Sequence, residues 1–198
     1  MGDPTPAGKA RLVINEAALP PREATGILLL QVGVGHPKQT TRFRAAATDE
    51  IDDRATVPEE FGPLHERFGF TVDVAAAAHN AKCERFYSIE DDGLAQPWAG
   101  ERVWCNPPYS NIRPWLEKAW YAWNNERAEL IVMLLPANRT EQAWWQDLVE
   151  PACRGRWPEF GVEFLPGRMR FLRKGQTEIG PKERPPFGCC LLIWGAVS

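Results

Sequence analysis

The run Glu129-Leu130-Ile131-Val132-Met133-Leu134-Leu135-Pro136 restricts the fold more than any other segment. An unbroken apolar stretch of this kind suits a strand buried on both faces of a covered sheet. A sheet covered on both faces needs helices, and the flanking sequence supplies them. Val57 to Phe68 reads as a short helix, with Thr56 as N-cap, Pro58 in its first turn, Glu59 and Glu60 near its positive end, and Gly69 as its stop. Phe61, Leu64 and Phe68 fall on one face. Pro114 to Asn124 and Glu141 to Val149 read as two more helices. Phe70 to Ala75, Arg102 to Cys105 and Cys189 to Trp194 read as strands, and Cys83 to Ser88 as a short one. Val162-Glu163-Phe164-Leu165 and Arg168-Met169-Arg170-Phe171 suit a hairpin closed by Pro166-Gly167. Alternating strands and helices predict an α/β fold, mostly parallel, with an antiparallel hairpin late in the chain.

With 198 residues the chain is long enough for one domain with a sizeable core. Residues 1–54 form a different region, rich in proline and small residues, and read as a partly ordered N-terminal extension. Residues 55–198 read as the folded domain. The glycine-interrupted run Gly26 to Gly35 could be a strand, but it is followed by no phosphate-binding signature. Lys38, Arg42 and Arg44 suit a solvated charged segment. The five cysteines, Cys83, Cys105, Cys153, Cys189 and Cys190, contain no C-x-x-C pair. That pattern argues against a disulfide framework or a metal site, and for reduced core thiols in the cytoplasm. No apolar run has membrane-spanning length, and no secretory signal opens the chain. A net charge of -3 gives no global attraction to nucleic acid, so any such contact needs a local basic patch.

Chemistry concentrates after the strand ending at Cys105. Asn106-Pro107-Pro108-Tyr109 is a stiff turn, because neither proline donates an N–H and Pro108 holds Pro107 extended. It offers two acceptors, the Asn106 side-chain oxygen and the Pro107 carbonyl, with an aromatic ring beyond. That set suits a planar group bearing an NH₂, such as the amine of adenine. Two other groups follow predicted strands: Asp73 with Ala75 and Ala76, and Asp91-Asp92-Gly93-Leu94 with Trp98. Ligands of open α/β sheets bind beyond the carboxyl ends of the strands. Simpler roles also fit. Asp73 could cap a turn, Asp91 could be a solvated partner of Lys82 or Arg85, and Tyr109 could be core packing. His36, His65 and His79 are isolated and read as neither ligands nor bases.

Thr56-Val57-Pro58, Phe68 to Ala76, Asn80-Ala81-Lys82, Asp91 to Leu94, Val103 to Ser110, Leu134 to Ala137 and Gly167 to Phe171 together resemble phage-type DNA N6-adenine methyltransferases. The resemblance covers residues 55–196. It implies a Rossmann-like, class I S-adenosylmethionine-dependent sheet, with double-stranded DNA as substrate and no metal. It departs from many methyltransferases in lacking a Phe-x-Gly-x-Gly loop, in whose place stands Asp73 to Asn80. By resemblance, Thr56, Pro58, Asp73, Ala75, Asn80, Asp91, Asp92, Leu94 and Asn106 bind the cofactor. Thr56 would take its carboxylate, Asp73 its amino group, and Asp92 or Asp91 its adenine against Leu94. Asn106, Pro107, Pro108 and Tyr109 form the catalytic turn, with Tyr109 stacked on a flipped adenine. The same turn could serve RNA or a protein glutamine, and the fold could serve a non-catalytic nucleic-acid-binding protein. Arg139, Arg168, Arg170, Arg173 and Lys174, with Arg154, Lys182 and Arg184, are the candidates for phosphate contact.

Overall fold

The computed structural model describes residues 52, 54–155, 157, 159–173, 176 and 185–195. The expected extension therefore lies outside the described residues, apart from Asp52 and Arg54, and so do Lys174, Lys182 and Arg184. Seven strands are seen: β1 (Arg54–Thr56), β2 (Val72–Asp73), β3 (Arg102–Cys105), β4 (Leu130–Pro136), β5 (Phe160–Phe164), β6 (Phe171–Arg173) and β7 (Cys189–Trp194). The helices are α1 (Pro58–Phe68), α2 (Arg113–Tyr121), α3 (Ala143–Leu148) and α4 (Glu150–Gly155), with a π-helical turn at Ala122–Glu126 after α2.

Five strands form one sheet in the order β2-β3-β4-β7-β5. β2, β3 and β4 are mutually parallel, and β7 runs antiparallel to both of its neighbours, β4 and β5. Four strands thus point one way and β7 alone is reversed. The apolar runs of β4 and β7 need no polar alternation because both faces are covered. Ile131, Met133, Leu135, Cys190, Leu192 and Trp194 join a core with α2, α3 and α4. Leu130, Val132, Leu134, Cys189, Leu191 and Ile193 join a second core with Phe61 and Phe68 of α1 and with Phe70, Met169 and Phe171.

The late hairpin is not formed. β5 pairs with β7, whereas β6 pairs antiparallel with β1 in a separate two-stranded ribbon. Gly167 does turn the chain, at φ 73°. The strands on either side of it then find different partners, because the fully apolar β7 is covered by a ladder on each edge. Cys83 to Ser88 is not a strand either, and only Phe86 bridges to Asp73. α1 starts one residue later than a Thr56 cap would set it. Val57 is its N-cap, Pro58 is its first residue, and no side chain caps it. Thr56 instead ends β1. Gly69 terminates α1 in the left-handed region at φ 59°, which glycine adopts without strain. The third predicted helix, Glu141 to Val149, is α3 with Val149 as its C-cap, and α4, which contains Pro151, follows it as a helix the sequence reading does not include. All five cysteines are free, but Cys153 is exposed rather than in the core. Among the described residues no helix is long and apolar enough to cross a membrane, and no cluster of His, Cys, Asp or Glu is placed to hold a metal.

Candidate active site

Strand alternation decides where Asp73 points. Val72 and Val74 enter the α2 core, so Asp73 between them faces the other side, toward Trp104 and Thr56. Its carboxylate is buried and wraps the following loop. One oxygen accepts the Ala75 N–H at 3.3 Å and the other the Lys82 N–H at 3.0 Å. Burial raises its pKa to about 6, against the opposing pull of the Lys82 and Ala75 amides and the Lys82 ammonium. Asp73 therefore does organise a turn, and it also forms one wall of a polar recess. Ala55, Thr56, Ala75, Asn80, Lys82, Trp104 and Asn106 complete that recess, which encloses about 10 Å³. Such a volume admits about one water. The Thr56 hydroxyl is buried there with no hydrogen-bond partner among the described residues. An orphaned buried hydroxyl costs about 1–3 kcal/mol, so its place beside a recess is evidence of a ligand.

Asn106 also lines a second, larger space. This aromatic cleft encloses about 260 Å³ between Asn106, Pro107, Tyr109, Arg139, Phe171 and Phe187, with Asp52, Pro185 and Pro186. The Tyr109 ring meets Phe171 edge-on at 6.5 Å and Phe187 at 6.1 Å. Its hydroxyl sinks into the core beside the Cys189 sulfur and has no oxygen or nitrogen partner among the described residues. Burial first, then the nearby thiols, push that hydroxyl well above the usual phenol range, so it stays protonated. Arg139 donates to the Tyr109 carbonyl at 3.3 Å. Asp52 accepts from the Ser110 amide at 3.2 Å and from the Ser110 hydroxyl.

Five of the expected cofactor residues, Thr56, Asp73, Ala75, Asn80 and Asn106, thus come together. Pro58, Asp91, Asp92 and Leu94 do not line the recess. Asp91 is exposed and closes its own turn on the Ser88 amide at 2.9 Å and hydroxyl at 2.8 Å, bonds that hold its pKa below the usual range. Asp92 is exposed, at φ 53°. Their loop is nevertheless held tightly against the end of β2. A Cβ on Gly93 would stand 2.1 Å from the Val74 carbonyl oxygen, and the buried Trp98 donates to the Gly93 carbonyl at 3.0 Å. Of the arginines, Arg168 is exposed and Arg170 is tied to Glu60 of α1 at 3.1 Å. Among the described residues Arg139 is the one arginine that lines the cleft, and the backbone of Arg173 pairs with Arg54 in the β1–β6 ribbon. Sequence reasoning missed Asp52, Lys82, Phe171 and Phe187 as wall residues. Pro185-Pro186-Phe187 carried a signal, since it repeats the Pro-Pro-aromatic pattern of residues 107–109. Asp52 carried none, standing in an acidic stretch that reads as solvated.

A family model described as DNA N-6-adenine-methyltransferase (Dam) matches residues 45–196. The DNA N-6-adenine-methyltransferase of Escherichia phage T1 is 34% identical over 148 residues, covering 69% of this chain and 60% of that protein. The enzyme of the same name from Haemophilus phage HP1 is 40% identical over 50 residues, covering 25% of this chain and 29% of that protein. The chain thus spans less than two thirds of each of these relatives. With a match that runs over most of its length, the chain belongs to the DNA N-6-adenine-methyltransferase (Dam) family.

Proposed function

We propose that the protein transfers a methyl group from S-adenosylmethionine to the N6 amine of an adenine flipped out of double-stranded DNA. One observation carries this reading: Asn106 lines both the polar recess and the aromatic cleft. A residue shared by two spaces is where a donor in one meets an acceptor in the other. A sheet with parallel β2, β3 and β4 and a reversed β7 supports the class I reading, since the recess lies beyond the carboxyl ends of β2 and β3. The polar groups that line the recess suit the amino-acid end of the donor by their chemistry. Asp73 suits its ammonium group, and the orphaned Thr56 hydroxyl suits its carboxylate.

When bound, the donor supplies an electrophilic methyl group on a sulfonium. The protein orients the nucleophile. The lone pair of the adenine amine is delocalised into the ring, which makes the amine a poor nucleophile. The Asn106 carboxamide oxygen and the Pro107 carbonyl would accept hydrogen bonds from its two N–H groups, directed out of the base plane, so the lone pair localises and points at the methyl, and the proton shed on methylation passes to solvent. Alignment of this kind supplies much of the rate. Tyr109, Phe171 and Phe187 give the extruded base an apolar, aromatic lining. Arg139 and the exposed Arg168 serve the phosphate backbone.

The test is direct. The protein is incubated with methyl-labelled S-adenosylmethionine and DNA free of N6-methyladenine, and the digested nucleosides are separated. Label in N6-methyladenosine's deoxy form supports the reading. Label in another deoxynucleoside, or no label in the DNA, overturns it.

A further inference from the structure

We propose that Asp52 is a positioning residue of the catalytic turn, holding Ser110 and, through it, Tyr109 where the base cleft needs them. This rests on the methyltransferase reading above. Pro107 and Pro108 have no N–H, so the turn lacks two of the donors with which a loop is normally fixed. Within it the Asn111 amide donates to the Pro108 carbonyl at 3.1 Å. Two charged side chains from elsewhere in the chain tie it down. Arg139 donates to the Tyr109 carbonyl. Asp52 takes both donors of the next residue, the Ser110 amide on one carboxylate oxygen and the Ser110 hydroxyl on the other.

Hydrogen bonds to an ionised acceptor are roughly twice as strong as neutral ones, and a two-oxygen grip fixes orientation as well as distance. Asp52 also stands two residues before β1, the strand that ends at Thr56. One short segment therefore contributes to both spaces, with Thr56 in the polar recess and Asp52 on the wall of the aromatic cleft. A carboxylate in a cleft meant for DNA repels phosphate. Its grip on Ser110 is the benefit that offsets this, and it makes a region that composition marks as an appendage part of the catalytic apparatus.

The experiment uses the full chain and plasmid DNA free of N6-methyladenine, with five proteins: wild type, Asp52→Ala, Asp52→Asn, Ser110→Ala and Asp52→Ala/Ser110→Ala. Displacing a reacting group by about 1 Å costs on the order of a hundredfold in rate. Asp52→Ala is expected to lower the single-turnover methylation rate about tenfold to a hundredfold. Asp52→Asn, which keeps one acceptor, should fall in between. KM for DNA should stay level or drop, because a negative charge has left the cleft. The double variant should be no slower than Asp52→Ala, because both changes cut the same tie. Calorimetric affinity for S-adenosylhomocysteine and the melting temperature should stay near wild type.

An Asp52→Ala protein as fast as wild type overturns the proposal. So does a loss of rate matched by equal losses of cofactor affinity and melting temperature, which marks a general structural role. A double variant slower by the product of its two effects overturns it as well. Wild-type protein inactive on DNA would instead defeat the methyltransferase reading itself, so the two failures are distinguishable.

Discussion

The two spaces that meet at Asn106 are built on opposite principles. The polar recess is tight, at about 10 Å³, and is walled by a buried carboxylate, an ammonium stem and an orphaned hydroxyl. The aromatic cleft is roomy, at about 260 Å³, and is walled mainly by rings and prolines. Closely set buried polar groups reject a ligand that cannot satisfy them, so such a site is selective. Rings accept any flat base through stacking, with little demand for one pattern of donors. On the proposed reading, an exacting set of polar groups takes the amino-acid end of the donor and a tolerant cleft takes the base. Among the described residues Asn106 alone lines both.

The largest expected effect comes from removing the shared residue. Asn106→Ala should lower single-turnover methyl transfer by about 10²–10³-fold, the range seen when one preorganised polar contact is lost from a reaction centre. Affinity for S-adenosylhomocysteine should change by less than about threefold. Equal losses in rate and affinity would mean that Asn106 belongs to the polar side alone.

Next come changes confined to the polar recess. Asp73→Ala should weaken S-adenosylhomocysteine binding by roughly tenfold to a hundredfold, since a charged partner of the ammonium group is lost. It should leave KM for DNA near wild type. The pH dependence sharpens this. Asp73 titrates near 3.8 unfolded and at about 6 folded, so between those values the folded state binds the extra proton. Stability of the ligand-free protein should therefore fall as pH rises from about 4 to 6, by up to about 3 kcal/mol from this group, and then level off. Cofactor affinity should move oppositely, falling as pH drops through about 6 and the carboxylate is neutralised. Chemical denaturation and calorimetry across that window, with Asp73→Asn as the non-titrating control, check both signs.

On the aromatic side, Phe187→Ala should raise KM for DNA about tenfold, in line with the ~1–3 kcal/mol of a base–ring contact. Cofactor binding should not respond. The smallest effect is expected at Thr56. Thr56→Val keeps the shape and removes the orphaned hydroxyl, so the ligand-free protein should gain about 1 kcal/mol while S-adenosylhomocysteine binds a few-fold more weakly. Unchanged binding would remove Thr56 from the donor site.

What the sequence revealed follows the range of the interactions. The apolar runs of β4 and β7 announce buried strands because burial on both faces leaves a local mark on composition. The Asn-Pro-Pro-Tyr turn is equally plain, since proline stiffness is a property of the residues themselves. Pairing across distance is not written locally. Pro166-Gly167 specifies a turn, and a turn is found at Gly167, but which strand β5 or β6 meets depends on β7 and β1 far away in the chain. The same reason hid Asp52, whose partner Ser110 lies 58 residues on. Charge marks Arg170 as a phosphate contact, whereas its pairing with Glu60 is visible only in the fold. Resemblance assigns Thr56 to the cofactor carboxylate, and Thr56 lines the recess, but it does not cap α1, because Pro58 begins the helix and Val57 takes the cap position.

A crystal structure of the protein with S-adenosylhomocysteine bound would decide where the donor sits. The amino-acid end should lie against Thr56 and Asp73, with the sulfur facing Asn106 and the aromatic cleft beyond. A ligand seated away from Asp73, or with its sulfur cut off from Asn106 by protein, would contradict the division of the site into a donor recess and a base cleft.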